Sequence, residues 1–202
     1  MTSPLLTADL LAACTDAELS KATLYVASFQ EAFHLYDINT ANRVGMFLAN
    51  VGQESGSLRF REELWGPTNA QRGYDGRVDL GNDLLGDGFK YRGRGWLQTT
   101  GKENYKRLSY RLRARWPQMQ VPDFVVQPDL LSSPEWCAVS AADFWQMNNI
   151  NRFADVGDFD GTCDMVNRGH KTSAIGDSNG YAGRLSRWNV GRPSLILAGF
   201  PT

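Results

Sequence analysis

Several residue types are scarce in this 202-residue chain, and their scarcity excludes classes of site. Three cysteines, Cys14, Cys137 and Cys163, are odd in number and far apart, so they form no disulfide framework and contain no CxxC pair for zinc or redox work. A buried, reduced thiol is the default for each. Two histidines, His34 and His170, make a histidine-rich metal site or a Ser-His-Asp triad hard to assemble. We therefore expect no metal and no cofactor.

A large net charge and long apolar runs are missing as well. The formal net charge is −1, so no global charge favours a nucleic acid or an anionic membrane as partner. The basic cluster at Lys106–Trp116 is more typical of a solvated helix face than of a partner site. No stretch reaches the roughly 18 apolar residues of a membrane span, and the first residues lack the basic region of a signal peptide. We expect a soluble chain without an export signal.

Helical periodicity dominates, and the β-branched alternation of strands is scarce. The patterns predict a mainly α protein of one domain, or one domain with a small lobe. Between Gly66 and Gly95, dense turn signals predict a long ordered loop with short strand-like pieces, and loops of that length are often functional. Helices are predicted at 8–36 with a break near Thr15–Asp16, from a cap at Asn39 or Thr40 to Ser55–Ser57, at 100–116, at 133–148, over a short segment ending at Gly169, and at 181–188.

The second predicted helix carries an acid on its apolar face. Apolar side chains recur there at helical spacing, at Val44, Phe47, Leu48 and Val51, and Glu54 continues the stripe. Burial disfavours a charged carboxylate, and a carboxyl that stays protonated near neutral pH is suited to general acid catalysis. The alternative is a helix-terminal side chain that turns out to solvent.

Two further acids, Glu62 and Glu63, follow the break that ends this helix. Two carboxyls several ångström apart are the arrangement that breaks glycosidic bonds: one protonates the leaving oxygen, and the other activates water or attacks directly. Either Glu62 or Glu63 could supply the second carboxyl, and the other would then be solvated surface.

The stretch "YRGRGWLQTTGKENY" is also rich in chemistry. Gly93 and Gly95 allow a backbone to come close to a ligand. Neutral donors and acceptors that suit sugar hydroxyl and acetamido groups follow at Gln98, Thr99, Thr100 and Asn104. Among six tryptophans, Trp145 is typical of a core residue. Trp65 and Trp96 flank the candidate acids, and each either belongs to the core or stacks on a sugar ring.

Four stretches together resemble glycoside hydrolase family 19: "VGQESGSLRFREELWGPT", "KYRGRGWLQTTGKENY", "AADFWQMNNINRFADVGDFDGTCDMVNRG" and "NGYAGRLSRWN". They keep the family's order over residues 41–190, and within the family they are most similar to phage and prophage endolysins. The resemblance implies a mainly α, lysozyme-like helical domain with a central substrate cleft and little β structure. It also implies a single catalytic domain, 1–202, without a separate wall-binding domain.

The resemblance also implies roles for individual residues. Glu54 matches the general acid, Glu63 rather than Glu62 the general base, and Thr100 the residue that helps hold the attacking water. Family members invert the anomeric configuration, which requires room for a water between the carboxyls. Arg168 stands where the family prefers glycine. The implied substrate-binding positions are Gln98, Asn104, Tyr105, Asn167 and Arg184, to which we add Trp65 and Trp96.

Three functions stay open at this point. An endolysin would hydrolyse the β-1,4-linked glycan of bacterial peptidoglycan, as a monomer that waits in the host cytoplasm until a holin-type membrane-permeabilising partner admits it to the periplasmic wall. A chitinase would use the same catalytic residues, because both polymers contain N-acetylglucosamine and the same bond. A catalytically inactive glycan-binding module would keep the fold without the chemistry.

Overall fold

A computed structural model describes residues 4–202, and this part of the chain is mainly helical, as predicted. Within it, short 3₁₀ turns lie at Val78–Leu80 and Pro128–Ser132, and isolated β-bridges join Arg94 to Glu62 and to Thr99. No helix in the described range is both long and apolar enough to cross a membrane. The α-helices are α1 (Ala8–Thr15), α2 (Leu19–Tyr36), α3 (Ala41–Glu54), α4 (Asn69–Arg72), α5 (Asp87–Lys90), α6 (Lys102–Arg115), α7 (Cys137–Met147), α8 (Asn151–Asp155), α9 (Phe159–Arg168) and α10 (Tyr181–Leu197).

The described chain divides into two compact units. The first unit comprises residues 4–59 and 142–202, and the second comprises residues 60–141. The first therefore contains the helices α1–α3 and α8–α10, and the second contains α4–α6.

Helix α3 forms the centre of the first unit. The Thr40 hydroxyl accepts the Arg43 N–H at 3.1 Å, which confirms the predicted cap. The helix is buried from Val44 to Gly52 and contacts α1, α8, α9 and α10. Gly45 lets α10 come close, because a Cβ there would lie 2.6 Å from the Trp188 ring. A helix so enclosed presents functional side chains only at its ends.

An aromatic cluster fills the core beside α3. Phe47 packs edge-on against Phe29, Phe33 and Trp145, with ring centroids 6.3, 5.7 and 5.3 Å away. Such edge-to-face pairs add about 0.5–1.5 kcal/mol each beyond their buried area. Trp145 is fully buried, which confirms its predicted core position.

Most predicted helices of the first unit are confirmed, and the last one is longer than predicted. The break between α1 and α2 lies at the predicted place, and α9 ends at Gly169, which has a φ of 77°. Helix α10 passes Trp188 and runs through Pro193 to Leu197. Leu195 is fully buried, so tertiary packing extends the helix past a proline that removes one of its hydrogen bonds.

The glycine-rich segment of the second unit is ordered by buried polar side chains. Its predicted strand-like pieces are limited to the isolated bridges of Arg94, and the structure otherwise shows the short helices α4 and α5 and a 3₁₀ turn. Fully buried Asn82 donates to the Tyr74 carbonyl and accepts the Lys102 N–H, both at 3.0 Å. Asparagine side chains hydrogen-bond to backbone N–H and C=O groups nearby, and these bonds compete with the hydrogen bonds between strands. The segment therefore closes into turns.

Arg94 is the buried centre of the second unit, with 1% of its side chain exposed. It donates to the Lys90 carbonyl at 2.7 Å, to the Tyr105 hydroxyl at 3.0 Å and to Asp129 at 2.5 Å. It thereby ties α5 and α6 to the 3₁₀ turn at Pro128–Ser132. Helix α6 agrees with its predicted range, whereas α7 begins at Cys137 because residues 133–136 form a turn.

Candidate active site

Glu54 is the last residue of α3, and its side chain keeps 30% of its surface exposed. The buried face of the helix ends at Gly52, so the predicted apolar surroundings of this acid are wrong. Its partner is instead the guanidinium of Arg184, which donates to the Glu54 carboxylate. Glu54 therefore forms a salt bridge with a buried cation instead of lying in an apolar pocket.

Arg184 comes from α10 and is 1% exposed. Besides its bond to Glu54, it donates to the Asn50 side-chain oxygen at 2.7 Å and to the Asn179 carbonyl at 3.3 Å. Asn50 is itself fully buried and donates to Met46 and to Thr162. Since its guanidinium is enclosed, Arg184 cannot contact a substrate directly, which corrects the predicted role. It holds Glu54 in place.

The loop between α9 and α10 is bound to α9 by hydrogen bonds. The Asn167 side-chain oxygen accepts the Asn179 N–H at 3.1 Å. Arg168, which replaces the family's glycine, pairs with Asp177 at 2.5 Å. The departure at Arg168 therefore stabilises the loop, while partly exposed Asn167 remains a candidate substrate contact.

Glu63, in the second unit, is held by backbone and by a neutral side chain. Its N–H donates to the Gly93 carbonyl at 2.9 Å, and Arg92 donates to its carbonyl at 3.2 Å. Its carboxylate accepts a hydrogen bond from the Gln71 amide at 3.2 Å. The side chain of Glu63 is partly exposed, so water can reach it.

Glu62 has a different environment. Its carboxylate lies 2.8 Å from Arg92 and 3.4 Å from buried Arg94, and it accepts a hydrogen bond from Ser132 at 3.4 Å. The prediction that the acid of this pair without a catalytic role is solvated surface is therefore wrong for Glu62. Two guanidinium groups neutralise Glu62, and this makes Glu63 the better candidate base.

Gly93 lies against both Glu63 and Gln98. A Cβ at Gly93 would be 3.0 Å from the Glu63 Oε1 and 2.5 Å from the Gln98 Oε1. The missing side chain therefore makes room for two of the predicted polar groups to gather at one stretch of backbone. The sequence predicted that a ligand would come close to the Gly93 backbone, but the groups that do so in the structure are the side chains of Glu63 and Gln98.

Thr100 and Asn104 follow Gln98 on the same segment. The Thr100 hydroxyl donates to the Gln98 carbonyl at 2.9 Å, which leaves its oxygen lone pairs free to accept from a water. Exposed Asn104 donates to the Thr100 carbonyl at 2.7 Å. Gln98 and Thr100 are both partly exposed, so all three stay candidates for contact with a substrate or its water.

Two predicted substrate contacts are buried. Trp96 and Tyr105 each have 0% exposure, so they belong to the core of the second unit and cannot touch a substrate. The Tyr105 hydroxyl donates to the Arg92 carbonyl at 2.5 Å, and burial raises the pKa of Tyr105 to about 12. Trp65 is 85% exposed and remains available for stacking.

Sequence reasoning missed Asn50, which holds Arg184 beside Glu54, and Gln71, which bonds Glu63 directly. Gln71 stands three residues after Thr68, the Thr-x-x-Gln spacing of a capping box, and the structure contains that box. Asn50 lies in the apolar stripe of α3, where a buried amide requires hydrogen-bond partners. Both signals were present, but neither indicates which distant group the amide bonds.

Comparison with known proteins shows a sequence similarity over part of the chain and a shared fold. No family model matches the chain. It is 39% identical over 87 residues to a glycosyl hydrolase family 19 domain-containing protein of Haemophilus influenzae, covering 30% of this chain and 44% of that protein. The chain thus matches less than half the length of that relative.

Two solved structures share the fold. Chitinase C from Streptomyces griseus HUT6037 superposes with a TM-score of 0.66 at 18% identity, covering 100% of this chain and 79% of its own. A glutamate-to-glutamine mutant of chitinase C gives a TM-score of 0.65 at 18% identity, with 97% and 77% covered. The predicted resemblance is confirmed: the chain is similar to glycoside hydrolase family 19 in sequence, and it has the mainly helical, lysozyme-like chitinase fold.

Proposed function

We propose that the protein is an endolysin, an inverting glycosidase that hydrolyses the β-1,4 linkages of bacterial peptidoglycan, with residues 1–202 acting as one catalytic domain. The family 19 similarity and the chitinase C fold support glycan hydrolysis. The observation that carries the assignment of the acids is the contrast between two neighbours. The Glu62 carboxylate is paired with Arg92 and Arg94, whereas the Glu63 carboxylate accepts a hydrogen bond from the neutral amide of Gln71.

In the proposed reaction Glu54 is the general acid and Glu63 the general base. Glu63 takes a proton from a water that the Thr100 hydroxyl helps to hold, and the water oxygen attacks the anomeric carbon. The glycosidic bond breaks as Glu54 gives its proton to the leaving oxygen, and attack from the opposite face inverts the anomeric centre. The protons balance, because Glu63 ends protonated and Glu54 ends ionised. General acid and base steps of this kind contribute about 10²–10⁴-fold each.

This mechanism places a requirement on Arg184. A general acid must carry a proton, and in the free protein the Arg184 guanidinium donates to the Glu54 carboxyl. One Glu54 oxygen must therefore carry a proton and face the leaving oxygen when the glycan is bound. Arg184 is a positioning residue in this scheme, since it is 1% exposed and its donors bond Asn50 and Glu54.

The endolysin proposal rests on the likeness of the four sequence stretches to phage and prophage enzymes. It includes a monomer held in the host cytoplasm until a holin-type partner admits it to the periplasmic wall. The second candidate is a chitinase, and the specific observation that favours it is that both solved neighbours are chitinase C. An inactive glycan-binding module is the third, and the presence of Glu54, Glu63 and Thr100 argues against it.

The deciding experiment compares two substrates with one enzyme preparation. We expect turbidity loss with outer-membrane-stripped Gram-negative cells and little release of sugar from colloidal chitin, with Glu54→Gln as the inactive background. Chitin hydrolysis without clearing of cells would reject the endolysin in favour of the chitinase. Binding to either glycan without hydrolysis would leave only the binding module. Mass spectrometry of the digested peptidoglycan identifies the cleaved bond, and NMR of the first-formed anomer tests inversion.

A further inference from the structure

We propose that Gln71 is a positioning residue for catalysis, whose neutral amide holds the Glu63 carboxylate in the orientation that accepts a proton from water. This inference rests on the proposed role of Glu63 as the general base. Among the described residues, the side chain that donates to the Glu63 carboxylate is Gln71, at 3.2 Å. Gln71 is 2% exposed, so this donor is enclosed by protein.

The orientation of the Gln71 amide is determined by the start of α4. The Gln71 side-chain Oε1 accepts the Thr68 backbone N–H at 2.8 Å, and the Gln71 backbone N–H donates to the Thr68 hydroxyl at 3.2 Å. Because a backbone N–H can only be met by the amide oxygen, the amide nitrogen must be the end that faces Glu63. The backbone N–H of Thr68 thus orients the Gln71 side chain, and within residues 4–202 the Thr68 hydroxyl bonds only the Gln71 backbone.

A neutral donor suits a base better than a cation does. A hydrogen bond to the ionised form stabilises a carboxylate, but a guanidinium also neutralises its charge and weakens its attraction for a proton. The adjacent Glu62 shows the second arrangement, with Arg92 and Arg94 around it. Cations therefore surround Glu62, which has a structural role, and a neutral amide bonds Glu63, which we assign to catalysis.

The two oxygens of Glu63 have different surroundings. Oε2 accepts from Gln71, and Oε1 lies toward Gly93, where a Cβ would come within 3.0 Å of it. Gln71 holds Oε2 of the Glu63 carboxylate. Because Gly93 has no side chain, Oε1 remains available to accept a proton from water. Loss of the hydrogen bond from Gln71 would let the side chain rotate away from this position.

The test uses Gln71→Glu, which separates the cap from the positioning role. Glutamate serves as well as glutamine at this position of a capping box, so the acceptor for the Thr68 N–H is kept. The oxygen that replaces Nε2 presents a like charge to Glu63 and makes it harder to ionise. We expect kcat at pH 7 to fall about tenfold or more, with KM within about twofold. We also expect the acidic limb of the pH–kcat profile to move up by about one pH unit or more.

Thr68→Ala is the matched control. It removes the hydroxyl half of the cap and leaves the Gln71 amide, so we expect a lower Tm and an unchanged pH profile. A folded Gln71→Glu variant with the wild-type pH profile and kcat would overturn the inference. If Gln71→Glu does not fold, Gln71→Met removes the donor without adding charge, and wild-type kcat in that variant would overturn it equally.

Failure of the inference is distinguishable from failure of the proposed function. If Glu63→Gln keeps wild-type activity, Glu63 is not the base and the function as proposed is wrong. If Glu63→Gln is inactive while the Gln71 variants behave as wild type, only the positioning role is wrong. Should the enzyme act on neither glycan, ¹³C titration of the Glu63 carboxyl in wild type and Gln71→Glu still decides, since an unchanged midpoint would overturn the contact's role.

Discussion

Asn50 and Arg184 stand 134 positions apart in the chain, and the Arg184 guanidinium donates to the Asn50 side-chain oxygen at 2.7 Å. Asn50 lies one turn before Glu54 on α3, and the same guanidinium bonds the Glu54 carboxylate. The buried amide thereby sets where the arginine sits, and the arginine sets where the acid sits. Arg184 is 1% exposed, and leaving a buried cation without its acceptors is costly, so this chain of contacts is expected to be rigid.

Glu54→Gln tests the acid. We expect hydrolysis of the preferred glycan to fall about 100-fold or more, because glutamine cannot give up a proton to the leaving oxygen. The amide can still accept from Arg184 but without the charge, so the variant should stay folded with a free energy of unfolding lower by about 1–2 kcal/mol. Glu31→Gln, a change at an exposed glutamate of α2, is the control and should behave as wild type. Wild-type lysis or chitin hydrolysis by Glu54→Gln would remove Glu54 from its role.

The two adjacent acids should respond differently to the same change. Glu63→Gln is expected to abolish turnover and leave the fold intact, because it removes the base. Glu62→Gln should keep kcat within a few-fold but lower the free energy of unfolding by about 1–2 kcal/mol, because buried Arg94 loses a charged partner. Rates and thermal unfolding of both variants check this, and the reverse ranking would mean that Glu62 is the base.

Gly93→Ala should damage the site more than the fold. The added Cβ would lie 2.5 Å from the Gln98 Oε1 and 3.0 Å from the Glu63 Oε1, so both side chains must move. We expect a tenfold or larger loss of kcat, on the order of 1.4 kcal/mol in the barrier. Gly73→Ala is the matched control, since its backbone is helical at φ −65° and its Cβ would approach no closer than 3.1 Å. Equal activity of the two variants would show that Gly93 does not shape the site.

Substitutions of Trp65 and Trp96 should have different effects, one on substrate binding and the other on stability. Trp65→Ala removes an exposed ring and should raise KM several-fold, with the free energy of unfolding changed by less than about 0.5 kcal/mol. Trp96→Ala leaves a cavity in the core of the second unit and should cost about 3–5 kcal/mol. Denaturant unfolding and Michaelis–Menten kinetics measure both effects. An unchanged KM in Trp65→Ala would exclude it from the substrate site.

The thiols predict how stability depends on alkaline pH. Burial raises the pKa of Cys14 and of Cys163 to about 12, and Cys137 is buried as well. An unfolded thiol ionises near pH 8.5. Because the folded pKa values are the higher ones, the stabilisation is complete below about pH 8.5 and is lost as the pH rises toward 12. Native protein at pH 8 should not react with a thiol reagent, whereas denatured protein should show three thiols. Rapid labelling of native protein would contradict this.

Local signals in the sequence were enough to locate the acids in the chain, but they did not describe the environment of Glu54. The apolar stripe of α3 correctly predicted a buried helix, and extending it by one turn to Glu54 predicted an apolar pocket that the structure does not have. Periodicity describes one helix, whereas the charge beside Glu54 comes from Arg184 on another helix. A single-helix pattern carries no information about that partner.

What the sequence by itself determined was the mainly helical fold and the place of its breaks. Caps such as Thr40 and terminators such as Gly169 act within a few residues, so their effect can be read locally. Only the tertiary structure decided that Glu62 is paired with arginines about thirty positions away while Glu63 is held by Gln71. Likewise, it alone decided that Trp96 is enclosed and Trp65 exposed. Burial and charge partners are properties of the packed chain, and neighbouring residues of the same type receive them independently.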